Sequence, residues 1–166
     1  AEPGLRVTVR LVPGAGGPGA HSGLTGRKTA DDSYGGAARN SGSALSGKDP
    51  SRIDRTAAYA ARHAAVSLVA SGLVRECEVQ VSYVPGDAAP VSLEIDSFDT
   101  GIAPDDRLAD RVRRALDLRV EAISERFALW ELPARHGGRF YRRLAAYGQF
   151  GRSALAPPWE TPVEIA

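Results

Sequence analysis

Leu5, Val7, Val9 and Leu11 alternate with Arg6, Thr8, Arg10 and Val12, the two-residue period of a strand with one buried face. A glycine- and proline-rich stretch over 13–26 follows and predicts a loop, and loops of that length in compact domains tend to carry function or to be disordered. The pattern is weak over 27–34, and 35–47 is again small and polar, so two loops are expected to face one ligand. Asp49 suits an N-cap and Pro50 a first helical residue, while Ala57, Ala58, Ala60, Ala61, Ala64 and Ala65 carry helix propensity through to Gly72, which suits the position just past a helix end. Ile53, Ala57, Ala60, Ala64 and Leu68 share one face of that helix, Arg52, Arg55, Tyr59 and Arg62 another. So small a face predicts close packing on a sheet, and Tyr59 is assigned to packing.

The sheet is expected next. Cys77, Val79, Val81 and Tyr83 alternate with Glu76, Glu78, Gln80 and Ser82; Pro85-Gly86-Asp87 makes a turn; Val91, Leu93 and Ile95 alternate with Ser92, Glu94 and Asp96, which predicts an antiparallel hairpin. Asp105 or Asp106 can cap a helix running to about Leu116, and another covers about Val120 to Leu129 until Pro133 and Gly137-Gly138 break the pattern. A basic segment spans Arg139 to Arg143, and the tail from Pro157 is proline-rich and expected to be loosely held. The order strand, helix, hairpin, helices predicts an α+β domain, helices on one face of a mostly antiparallel sheet, over 1–152, with a tail at 153–166. The apolar sides of the strands near Val79 and Leu93 are expected to need a partner's cover.

Length and composition agree with one globular domain: 166 residues, 43% hydrophobic and 25% charged. The net charge of +1 gives no reason to expect bulk binding to nucleic acid or membrane. The apolar run from Ala64 to Val74 is too short to span a bilayer, no signal peptide is visible, and the single cysteine, Cys77, allows no intrachain disulfide. A cytoplasmic protein is expected, with Cys77 a small packing residue. His63 and His136 have no second ligand at metal-binding spacing.

Chemistry is expected in the stretch from Gly23 to Arg55. It combines glycines, small hydroxyl residues and six basic side chains and ends at a helix start, a composition that suits a triphosphate: exposed N–H groups line an anion site, and Lys28 and Lys48 add point charges.

GLTGRK at 23–28, YGGAAR at 34–39, SGKDPS at 46–51, DRTAAYAAR at 54–62, QVSY at 80–83 and AAYGQFGR at 145–152 together resemble the C-terminal domain of the S-adenosylmethionine synthetases (methionine adenosyltransferases). Ordered motifs over about 10–152 are far more specific than one glycine-rich loop. The resemblance implies a transferase that joins ATP to methionine with loss of the triphosphate, assisted by Mg2+ and K+. It implies phosphate contacts at Arg27, Lys28 and Lys48, with Lys28 and Lys48 catalytic, and nucleotide contacts at Ala44 and Arg10. Asp54 matches a Mg2+ ligand, and His21 and Arg52 stand at methionine-side positions.

Departures from the family pattern fall in the same region. His21 stands for an Asp that contacts methionine, Leu11 for the aromatic that stacks on adenine, Leu45 for a Phe, Ser41 and Ser43 for glycines, Asn40 and Gln149 for histidines, and Arg52 for a lysine. The family also has two further domains, and its sites form between subunits. The resemblance therefore implies a subunit or C-terminal part that works only with a companion polypeptide or in a homo-oligomer. The departures motivate two other readings: a non-catalytic polyphosphate-binding module, or a synthetase with redirected substrates.

Overall fold

The computed structural model describes residues 29–42 and 44–166. The strand expected at 5–12, the loop at 13–26, and Arg10, Leu11, His21, Arg27, Lys28 and Ser43 lie outside the described residues. The described chain runs α1 (Thr29–Asp32), α2 (Ile53–Ala70), β1 (Glu78–Ser82), β2 (Ser92–Asp96), α3 (Asp105–Ala115), α4 (Val120–Arg126), α5 (Leu132–Arg135) and α6 (Phe140–Leu144), then two 3-10 turns at Ser153–Leu155 and Pro158–Glu160. Helices on a two-stranded antiparallel sheet make this an α+β domain, as the pattern predicted.

α2 starts later than its capping residues suggested. The Asp49 carboxylate accepts from the Ser51 N–H (2.9 Å) and hydroxyl (2.6 Å), closing a separate turn, and the helix begins at Ile53 with Arg52 at the cap. The spacing is that of an Asx turn, a local bond that competes with the helix for the same residues. At the other end Gly72 adopts φ +70°. Gly72 N–H donates to Val69 O and Leu73 N–H to Leu68 O, the pair of bonds that terminates a helix through a left-handed residue.

In the hairpin, Val79 faces Ile95 and Val81 faces Leu93, while Glu78 faces Asp96. Leu93 and Ile95 are buried and Val79 and Val81 pack against the core, with α2 against β1 and α3 against β2. This corrects the expectation that a partner must cover those strand faces: the chain's own helices do it. The opposite face is polar, and its directly opposed Glu78 and Asp96 would repel. Arg39 bridges both, Nε to Glu78 at 3.1 Å and an amino group to Asp96 at 2.7 Å. The hydrogen bond from Arg39 holds the Asp96 carboxyl below its ordinary range.

The tail is the clearest departure. Trp159 is fully buried, stacked on Tyr59 with ring centroids 3.6 Å apart and meeting Phe127 and Phe140 edge-on. Arg62 grips the Glu160 carboxylate with Nε and an amino group at 2.8 to 3.1 Å. Val163 N–H and Ile165 N–H donate to the hydroxyls of Ser67 and Ser71. Thus the tail is docked along α2, not loosely held, because its one tryptophan and two side-chain hydroxyls of α2 give it both apolar burial and satisfied backbone. Trp159→Ala is expected to cost about 3–5 kcal/mol in urea unfolding; a cost below about 1 kcal/mol would show the docking to be incidental.

His63 is buried at 3% exposure with neither ring nitrogen hydrogen-bonded, edge-on to Phe127. Burial pushes its pKa below the ordinary 6.5, the Arg126 charge adds to this, and the Trp159 backbone opposes it weakly. Because the unfolded chain then binds the proton first, stability falls as pH drops through about 6.5 and goes on falling until the folded-state pKa is passed. His63→Leu should remove this acid-side loss and leave stability at neutral pH equal or higher by about 1 kcal/mol. Equal pH profiles of melting temperature for the two proteins would refute it.

Candidate functional site

Lys48 lies in the loop between α1 and α2, and Asp54 in the first turn of α2. Lys48 Nζ meets Asp54 Oδ2 at 2.7 Å, with the two side chains 16% and 32% exposed. A lysine so nearly buried has few places to go, and this one is held from beneath by a relay of polar groups.

The relay starts at Asp32, the last residue of α1, whose carboxylate accepts from Leu45 N–H (2.7 Å), Ser46 N–H (2.8 Å) and the Ser46 hydroxyl. Gln149 donates its amide to Ser46 Oγ at 2.8 Å and accepts at Oε1 from the Tyr59 hydroxyl (2.5 Å) and from Arg55 (3.5 Å). Arg55 Nε donates to the Tyr59 oxygen at 2.7 Å, and another of its nitrogens donates to the Lys48 carbonyl at 2.6 Å. Asp32, Arg55, Tyr59 and Gln149 are all at 3% exposure or less. Burial pushes the Tyr59 hydroxyl up to about 12, with Arg55 partly offsetting it, so it remains a donor throughout the physiological range.

Glycine makes the relay's geometry possible. Gly148 has φ +85°, and a Cβ there would lie 3.1 Å from the Asp31 carbonyl oxygen. Close approach of that backbone lets Gln149 N–H donate to Asp32 O at 2.9 Å, while Trp159 Nε1 donates to Gln149 O at 3.1 Å. The docked tail thus fixes the glutamine, and the glutamine fixes the loop.

Of the residues singled out from sequence, Lys48 and Asp54 are brought together. Ala44 is buried at 1% and Leu45 at 3%, so the Leu45 position, where the family pattern has Phe, is a packing site in this arrangement. Arg52 is exposed at the start of α2. Asn40 accepts from Ser33 and donates to the Gly35 and Ala38 carbonyls, a turn-holding role. Sequence reasoning missed Asp32 and the part played by Arg55; the only available signals were an acidic pair in a weakly patterned segment and an arginine on a helix face. Cys77 is half-buried, and burial raises its thiol pKa to about 11, which agrees with a packing role.

The family model described as "S-adenosylmethionine synthetase, C-terminal domain" matches residues 15–161. The chain belongs to this family. Among curated relatives, the S-adenosylmethionine synthase of Synechococcus sp. (strain JA-3-3Ab) is 53% identical over 145 residues, covering 87% of this chain and 35% of the relative. That of Synechococcus sp. (strain RCC307) is 54% identical over 151 residues, covering 91% of this chain and 37% of the relative. The chain therefore spans about a third of the length of the S-adenosylmethionine synthases it matches, in the region of their C-terminal domain.

Tyr59→Phe keeps the ring on Trp159 but leaves Arg55 Nε and Gln149 Oε1 each short of a partner. Its expected cost is about 1–3 kcal/mol by urea denaturation. A loss under about 0.5 kcal/mol would mean that water or rearrangement satisfies the relay without the hydroxyl.

Proposed function

We propose that this domain forms one wall of a methionine adenosyltransferase site, completed by a companion polypeptide or by other subunits. The observation that carries the reading is the Lys48–Asp54 pair standing on a loop locked from beneath, in a chain of this family. In the proposed reaction the methionine thioether sulfur attacks C5′ of ATP, the C5′–O bond breaks, and the triphosphate leaves with the electron pair. Negative charge grows on the leaving chain, and a preorganised cation aimed at it is worth most where water is excluded. Lys48 and Lys28 are assigned that catalytic role, with Arg27, Arg10 and Ala44 on the nucleotide side and His21 and Arg52 on the methionine side.

The ion pair suits an exchange of partners. An incoming phosphate oxygen competes with Asp54 for the Lys48 ammonium, and the displaced carboxylate is then a hard oxygen donor for a cation. Among the described residues no group of three or more His, Cys, Asp and Glu could hold a metal. Asp54 therefore fits as one ligand of a Mg2+ whose others are phosphate oxygens, water and groups from a companion. When bound, that ion supplies charge neutralisation on the phosphates. K+ is proposed with it on family grounds, through residues of the companion. No helix among the described residues is long and apolar enough to cross a membrane, and a cytoplasmic location is proposed.

The test is reconstitution. Mixing this chain with a polypeptide bearing the other synthetase domains should produce S-adenosylmethionine from ATP and methionine in the presence of Mg2+ and K+. Lys48→Ala in the mixed enzyme should lower kcat by about 100- to 1,000-fold. A rate that stays at background on mixing, or a Lys48→Ala enzyme of unchanged rate, would reject the reading.

A further inference from the structure

Charge is unevenly spread along this nearly neutral chain. Residues 132–159 hold five arginines and His136 but no aspartate or glutamate, although acidic residues number 20 against 21 lysines and arginines overall. Arg152 is engaged by the carbonyls of Ala146 and Gly148, and His136 lies against the Phe140 ring. The other four are exposed: Arg135 on α5, Arg139 just before α6, and Arg142 and Arg143 on α6. Among the described residues these four make no ion pair or side-chain hydrogen bond.

α6, with three of these arginines on it or beside it, is linked to the Lys48 loop by one side chain. The Arg55 guanidinium lies over the Tyr141 ring of α6 at 4.3 Å from its centroid and also donates to the Lys48 carbonyl at 2.6 Å, so one buried side chain spans the distance between them. Lys48 itself is neutralised by Asp54. Among the described residues the 44–48 loop itself therefore presents little free charge until that pair opens, and exposed cations around it add to the field that draws a polyanion in.

We propose that Arg139, Arg142 and Arg143 form a cationic rim that captures the polyphosphate chain of the nucleotide and delivers it to Lys48, where it displaces Asp54. The inference rests on the reading of Lys48 as a phosphate ligand. Exposed arginines in water act by summed field more than by fixed contacts, so the rim raises association and affinity and loses its effect as salt shortens the range of the field.

Tripolyphosphate is titrated calorimetrically into the whole chain at ionic strengths of about 0.01 M and about 1 M, where the Debye length is about 30 Å and about 3 Å. The variants are the Arg139→Gln, Arg142→Gln, Arg143→Gln triple, the matching triple to Lys, and Lys48→Ala. The Gln triple should bind about 10-fold more weakly at low salt and like the native chain at high salt, with an unchanged melting temperature. The Lys triple should bind like the native chain at both, since charge and not fork geometry is required.

A Gln triple that binds normally at low salt, a loss that persists at high salt, a Lys triple as weak as the Gln triple, or no binding by the native chain would each overturn the rim. Weakening by Lys48→Ala at both salts with a normal Gln triple removes the rim and leaves the Lys48 reading standing. A normal Lys48→Ala protein removes the reading and the rim with it. If the rim instead docks an acidic face of a companion, the Gln triple keeps its tripolyphosphate affinity and loses assembly, which also overturns the proposal.

Discussion

A buried carboxylate and a buried guanidinium, Asp32 and Arg55, stand at opposite ends of one chain of hydrogen bonds that passes through Ser46, Gln149 and Tyr59. Neither charge touches the other. Each is stabilised by dipoles: Asp32 by two backbone N–H groups and a hydroxyl, Arg55 by a carbonyl, an amide oxygen and a phenol oxygen. Such an arrangement holds only if every member is satisfied, since a group left unpaired in a dry interior costs about 1–3 kcal/mol. Satisfying all of them requires α1, the 44–48 loop, α2 and the 148–149 backbone to sit in one relation, and that relation sets where Lys48 stands.

The tail belongs to the same constraint. Trp159 covers Tyr59 and donates to the carbonyl of Gln149, so the apolar stack that buries the tail also excludes water from the relay. Exclusion of water strengthens every bond within it. The polar network and the aromatic core are therefore mutually dependent, and the loop's position is tied to residues more than 100 positions away in sequence.

Much of this fold could be read from the chain because local signals and tertiary structure agree. The hairpin pairs the residues its alternation marks, the Pro85-Gly86 turn has Gly86 at φ +93°, and α2 ends at the glycine that suits a left-handed cap. What was not legible is non-local. Asp32 and Trp159 look unremarkable in their own segments, Gln149 stands out only as a departure from a family histidine, and their meeting is what gives all three a role. Asp49 misled for the opposite reason: its own turn satisfied it locally, leaving α2 to start without a side-chain cap. At the candidate site the motif residues Lys48 and Asp54 were visible, but the support that fixes them was not.

The pairing of Lys48 with Asp54 gives the loop an arrangement in which both charges are satisfied. An unpaired, mostly buried ammonium would have to remain solvated, pulling the loop toward water. With Asp54 as partner, the amine is held at a defined place by a bond that a more highly charged anion can outcompete. Since Asp54 lies in the first turn of α2, its carboxylate is favoured by the helix dipole while it waits, so breaking the pair does not leave it stranded. The carboxylate lies two residues after Arg52, the residue at the cap of α2, and on the proposed reading it is free to meet a divalent cation once a phosphate has taken the amine. On the proposed reading the pair sets a threshold, because an anion must displace Asp54 to reach the Lys48 ammonium, and a polyphosphate brings more charge to that exchange than a single anion does.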